Sequence, residues 1–402
     1  MKTTPLASQK RLPWIDAARG FAIFGIFMVN MPSIVAPFFL YGGGASYFDS
    51  TTDEAVQNLV DLLFQASFYT LFSFLFGFGL QLMKDRLSDK GIAYRKVLLR
   101  RQLILIGFGI IHAFFIWHGD ILLSYGVLGL LLFLFYERKD KVLIWTAILV
   151  LGFMSALNTL GLYLIRSQLP FVSESGIEQS FAAYGEGGIG AAWQQNVNDW
   201  LVGNGSVGQW VNLALTLVPM FLIGMFFARK RLFHEVGEHR RTLWKIWWFT
   251  LVLFVAFKGV PFLFGNPIWF QYYAQDLIGG SASAIFYATS IVLLYQTRAK
   301  KGLVWFTYVG KLSLTNYILQ SVLAVGLAYN IGFGLYGELT PLMSAGVVVV
   351  IYMLQVLGSW WWVHRYHFGP LEWVWRTLTY GSRPKMARQR VEMTTNYTEK
   401  GK

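Results

Sequence analysis

Residues 112–126 read HAFFIWHGDILLSYG, which sets His112, His118 and Asp120 in the seam between two apolar runs. Imidazole titrates near neutrality, and a nearby carboxylate fixes its tautomer and raises its basicity. The seam therefore holds the parts of a general base, or of a nucleophile that accepts an acyl group: His112 or His118 as the imidazole, Asp120 to orient it. The structural alternative has His112 bonded to a neighbouring helix and His118-Gly119-Asp120 as a plain turn, with glycine supplying backbone freedom. Metal chemistry is not expected. The histidines are six positions apart, on different faces of a helix, and the chain has no cysteine.

Other polar groups lie inside apolar runs, where an ionisable side chain costs about 2.5–3.5 kcal/mol and so asks for a partner or a task. Asp16 and Arg19 are three apart, share a helix face and can form a structural ion pair. Asn30 is eleven positions past Arg19, about 16 Å along a helix axis. The stretch AYRKVLLRRQL puts Arg100 and Arg101 at the start of a helix, where the dipole favours anions. With Arg19 and Lys311 at similar depth, they could steady the phosphates of a nucleotide-like donor. Plain topological charge is the alternative. Ser313, Asn316 and Gln320 form one polar stripe, and Asp61, Gln65, Tyr69 and Ser73 another at four-residue spacing; each is either interhelical glue or cavity lining.

The elements that must position these groups are membrane helices. Of 402 residues, 55% are hydrophobic and only 14% charged, far from the charged quarter of a soluble domain. Ten apolar segments near the roughly 20-residue length of a bilayer crossing fall at about 15–39, 57–83, 98–117, 120–136, 142–166, 208–228, 243–263, 270–296, 304–329 and 342–364. Only helices satisfy their backbone groups in lipid, so the expectation is an all-α polytopic membrane protein. Alternate connections hold 30 of the 34 basic residues. By the positive-inside rule both termini are then cytoplasmic and the histidine seam faces outward.

The net charge of +13 is thus a topology signal, and no nucleic-acid module is visible. Residues 1–380 read as one integral-membrane domain and 381–402 as a basic, disordered cytoplasmic tail. The connection 168–207 carries four carboxylates and no Lys or Arg; a solvated loop is favoured over a lid of short interfacial helices. Glycines in FGFG (76–79) and GFG (107–109) allow close helix approach.

The motifs RLPWIDAARGFAIFGIFMVN, YTLFSFLFGFGLQL, IIHAFFIWHGDILLSYGVLG and VGKLSLTNYILQS, in that order, resemble the YeiB-like family of bacterial multi-pass membrane proteins over nearly the whole chain. More distantly the chain resembles transmembrane acyltransferases, which take an acyl group from a cytosolic thioester such as acetyl-CoA to an acceptor on the far side. Asp16 and Arg19 match the opening pattern of the polysaccharide acetyltransferases; Asn30 stands where those have a histidine. An amide cannot shuttle a proton near neutral pH, so the role would pass to His112 or His118.

The resemblance implies an enzyme of the bacterial cytoplasmic membrane. Arg19, Arg100, Arg101 and Lys311 would hold an acyl-CoA donor, His112 or His118 with Asp120 would activate the acceptor, and Asn30, Asn316 and Gln320 would bind acyl carbonyl or acceptor. Membrane lipids, a lipid, glycan or small-molecule acceptor, and a second copy of the chain are the partners compatible with it. A transporter lined by the two stripes, with Asp61, His112 and Lys258 coupling protons, is the alternative, and a non-catalytic membrane protein a third.

Overall fold

The computed structural model describes residues 12–169 and 172–388. Every apolar segment is helical: α1 (Pro13–Val35), α2 (Thr51–Leu63), α3 (Ser67–Asp89), α4 (Tyr94–Phe115), α5 (Leu122–Leu134), α6 (Asp140–Leu164), α7 (Ile189–Asn204), α8 (Val207–Arg229), α9 (Val236–Phe264), α10 (Ile268–Leu294), α11 (Lys300–Lys311), α12 (Ser313–Ala328), α13 (Pro341–Arg365) and α14 (Pro370–Tyr380). Among the described residues, eight helices are long and apolar enough to cross a membrane, with α2 and α3 taken as one; α5 and α12 are shorter apolar helices. The described residues hold no strand, only the isolated bridge between Tyr366 and Ala387. The protein is an all-α, multi-pass membrane protein.

Backbone contact through glycine sets the tightest crossings. A Cβ at Gly77 of α3 would lie 2.0 Å from the Phe221 carbonyl oxygen of α8, and one at Gly224 of α8 equally close to that of Phe74. Gly20 of α1 and Gly310 of α11 meet in the same way, 1.9 and 1.8 Å from carbonyl oxygens of the facing helix. Around these crossings an aromatic core of Phe68, Phe74, Phe78 and Phe221 is sealed from solvent. The outer faces instead expose apolar side chains, such as Phe249 at 65% and Leu354 at 62%, as helices facing hydrocarbon must.

Hydrogen bonds tie connections together at each end of the bundle. At the basic end, Arg229 donates to the carbonyls of Phe135 and Tyr136 at 3.1 and 2.8 Å, the Tyr94 hydroxyl donates to Glu137 at 2.7 Å, and the Trp14 ring sits 5.1 Å from Phe233. At the opposite, histidine end, Trp193 donates to the Phe115 carbonyl at 3.1 Å, and the backbone N–H groups of Asn330 and Gly337 reach the carbonyls of Tyr184 and Val35, both at 2.8 Å.

The connection 168–207 is therefore not the solvated loop favoured from its composition. Its helix Glu174–Ser180 and α7 form a packed cap in which Tyr184 is 1% and Asp199 2% exposed. Its acidic residues misled because one of them is internal. At the basic end, the first tail residues fold back: His367 N donates to Met386 O, and Arg388 N to Arg365 O, both at 2.9 Å. The tail beyond Arg388 lies outside the described residues.

Candidate functional site

The seam yields two histidine–carboxylate pairs. His112 lies in the last turn of α4, and its Nδ1 is 2.9 Å from Asp120 Oδ1, with both side chains fully buried. The other oxygen, Oδ2, accepts the Leu123 N–H at 2.6 Å, which fixes the carboxylate at the start of α5. The His112 ring rests 5.1 Å from that of Tyr317 on α12. Its Nε2 is buried with no protein hydrogen-bond partner. His112 Nδ1 and Asp120 Oδ1 are likewise without an aligned hydrogen bond, so the 2.9 Å approach is a close electrostatic contact; a proton held on Nδ1 beside the carboxylate would leave Nε2 with the lone pair a general base needs.

His118 takes a different partner from the one expected. Asp120 does not orient it; Nδ1 lies 3.5 Å from Asp199 Oδ2, supplied by α7 of the cap. Asp199 also accepts the hydroxyls of Tyr41 at 2.6 Å and Tyr184 at 2.8 Å and the Gln195 amide at 2.6 Å. Burial holds the His118 imidazole below its usual value, against the pull of Asp199. Gly119 is required here, because a Cβ would lie 2.2 Å from the Trp117 ring.

The basic end gathers most of the expected cations. Arg101 stacks on the Trp375 ring of α14 at 3.7 Å, and its Nε is buried with no hydrogen-bond partner. Tyr380, Arg376 and Arg19 act on its charge. Arg100 Nη1 approaches Gly381, 3.5 Å from where a Cβ would stand. Asp16 and Arg19 form the expected ion pair at 3.7 Å. Lys311 instead places its ammonium over the Tyr308 ring, 5.9 Å from the centroid. Eleven positions of α4 separate Arg101 from His112, about 16 Å along the axis.

The span-nine stripe is glue. Asn316 donates to Ser359 at 3.0 Å and Gln320 to Gln355 at 2.8 Å, while Gln355 returns a bond to the Asn316 carbonyl at 2.9 Å. These bonds tie α12 to α13 and draw on the amide donors of Asn316 and Gln320, the interhelical role the stripe allowed. Asn30, in α1, is half-buried.

The span-two stripe divides at a break in the helix. Ala66 adopts a left-handed φ of 59°, which frees carbonyls that must find donors. The Tyr287 hydroxyl serves Leu63 O at 3.0 Å, and the fully buried Lys258 ammonium bonds Gln65 O. Below the break, Ser73 lies 2.9 Å from the Tyr125 hydroxyl. Above it, Asp61 Oδ2 accepts amides from Asn266 at 2.9 Å and Gln275 at 3.0 Å. Asp61, Gln65 and Asp276 line a cavity of about 560 Å³. Lys258 and Asp276 both sit in π-helical turns, Val255–Gly259 and Gln271–Gly279, a distortion common at functional sites.

Residues 227–382 match the family model described as a protein of unknown function, DUF418. The chain is 32% identical over 401 residues to the uncharacterized protein YxaH of Bacillus subtilis strain 168, covering 96% of this chain and 98% of that one. The chain belongs to the YeiB-like family. The uncharacterized protein YeiB of Escherichia coli K12 is 27% identical over 398 residues, covering 91% of this chain and 95% of YeiB. No solved structure matches.

In this YeiB-like chain the described residues include no group of three or more His, Asp or Glu able to hold a metal ion. Sequence reasoning missed Asp199, Asp276 and Arg376. Asp276 broke the same rule that exposed Lys258, an ionisable group inside an apolar run. Asp199 shares a helical face with Gln195 at four-residue spacing.

Proposed function

We propose that this YeiB-like protein is a transmembrane acyltransferase in which His112, held by Asp120, is the general base. The observation that supports this reading is the fully buried contact of His112 Nδ1 with Asp120 Oδ1 at 2.9 Å, with Nε2 also buried and without a protein partner. A buried polar atom left so costs about 1–3 kcal/mol, a cost more in keeping with a site for a reacting hydrogen than with packing.

The basic end fits an anionic donor. Arg101 offers a buried, unfilled Nε, with Arg19, Arg100 and Arg376 at the same end of the bundle. These residues would hold the phosphates of an acyl-CoA. When bound, such a donor supplies an acyl carbonyl activated as a thioester. His112 Nε2 takes the proton of an acceptor hydroxyl or amine as that atom attacks the carbonyl carbon, and returns it to the sulfur as the carbon–sulfur bond breaks. Asp120 stabilises the imidazolium formed between the two transfers. The bacterial cytoplasmic membrane, basic end inward, is the setting this reading requires.

Labelled acetyl-CoA supplied to membranes tests it. Wild-type protein is expected to move label to an acceptor, and His112→Gln to lower that rate about 10²-fold or more, the usual weight of a general base. Undiminished transfer by His112→Gln would overturn the assignment. A second reading, a transporter, is favoured by Lys258 at the broken helix beside the carboxylate-lined cavity; proton-dependent flux in liposomes without any acyl donor would support it.

A further inference from the structure

The cavity beside the α2–α3 break has a composition that selects its occupant, and it does so with residues apart from His112 and the arginines. We propose that it binds an amphipathic organic ammonium, a protonated primary amine carried on an apolar body. Much of the wall is apolar, with Phe38, Phe39, Phe48 and Val56, and the polar groups include Asp61, Asp276 and Asn266. A volume of about 560 Å³ falls in the range of small-molecule sites.

Charge and hydrogen-bond inventory then choose the polar head. Lys258 acts on both Asp61 and Asp276, but its ammonium is already bonded to the Gln65 carbonyl and near Ser67 at 3.4 Å. The Lys258 ammonium is thus committed to oxygens at the helix break and does not satisfy the acceptors of the cavity. Asp276 and Asn266 line the cavity, and their Oδ1 atoms, with Gln275 Oε1 next to Asp61, are buried without partners. All three are acceptors, so the occupant must donate. An anion would be repelled, and a bare metal ion would leave the aromatic wall unused. A soluble amine and the ethanolamine head of a membrane lipid share the required chemistry.

The test is calorimetric titration of the full chain in phosphatidylglycerol nanodiscs with phenethylamine and with 2-phenylethanol, which keeps the body and replaces ammonium by hydroxyl. Phenethylamine is expected to bind at least tenfold tighter. Asp276→Asn and Asp61→Asn should each weaken it at least tenfold, and Val56→Trp, which fills the cavity from its apolar side, should abolish it. Equal affinity for the two compounds, or unchanged affinity in Asp276→Asn and Val56→Trp, would overturn the proposal. The wild-type comparison decides even if the carboxylate variants do not fold. Phosphatidylethanolamine in the disc either competes with phenethylamine, which makes a lipid the source of the ammonium, or does not, which makes it a soluble amine.

Discussion

The two histidines of the seam differ in what surrounds them. His112 is clamped at 2.9 Å by a fully buried carboxylate, whereas His118 meets Asp199 at 3.5 Å and keeps 14% of its side chain exposed. Their roles should separate by substitution: His118→Gln is expected to leave acyl transfer within a few-fold of wild type while Asp120→Asn lowers it about tenfold or more, a contrast read from initial rates. His118 should show itself in stability. Its imidazole is depressed in the folded state by burial, so the unfolded chain binds the extra proton more readily. That stability is present above about pH 6.5 and is lost as pH falls through the folded value. The thermal midpoint of wild type should therefore drop more than that of His118→Gln between about pH 7.5 and about pH 5. A parallel drop would remove the assignment. The residue types of the seam were legible in sequence, but the pairing was not. Asp120 is two positions from His118 and eight from His112, and only the turn into α5 directs its carboxylate back to the more distant imidazole.

At the scale of helices, glycine patterns marked close approach and left open which glycine makes it. In FGFG it is Gly77 that meets α8; in GFG it is Gly109, where a Cβ would lie 2.2 Å from Leu123 N, while Gly107 has nothing within 4 Å. Gly77→Ala and Gly109→Ala should each destabilise by at least about 1–3 kcal/mol, because backbone rather than a movable side chain blocks the new methyl. Gly107→Ala should be neutral or slightly stabilising, which thermal unfolding in detergent would check. The break at Ala66 was illegible, since nothing in FQASF demands a left-handed alanine. Lys258 supplies the reason it persists, by bonding the freed Gln65 carbonyl between Asp61 and Asp276. Removing one member of a buried charge group costs about 3–5 kcal/mol. Lys258→Met should therefore unfold at lower temperature, and adding Asp276→Asn should recover part of the loss. No recovery would mean that the two groups are uncoupled.

Over the whole molecule, composition announced a helical membrane protein, and the apolar segments are helical, although 57–83 and 304–329 are each divided between two helices. What they could not announce is the cap, because its packing depends on Asp199 accepting hydroxyls from Tyr41 and Tyr184, far apart in sequence. The absence of native cysteine makes orientation directly readable. Gly188→Cys, at an open position of the cap, should react with an impermeant maleimide on intact cells, and Lys96→Cys only after lysis. The proposed reaction needs donor binding at one end and acceptor activation at the other, linked by α4. Its most direct test is transfer of label from acetyl-CoA in vesicles of defined orientation. Inside-out vesicles, with the arginine end outward, are expected to transfer label and right-side-out vesicles not to, and His112→Gln should abolish the difference. Equal transfer from both faces, or an orientation-dependent signal that survives His112→Gln, would contradict it.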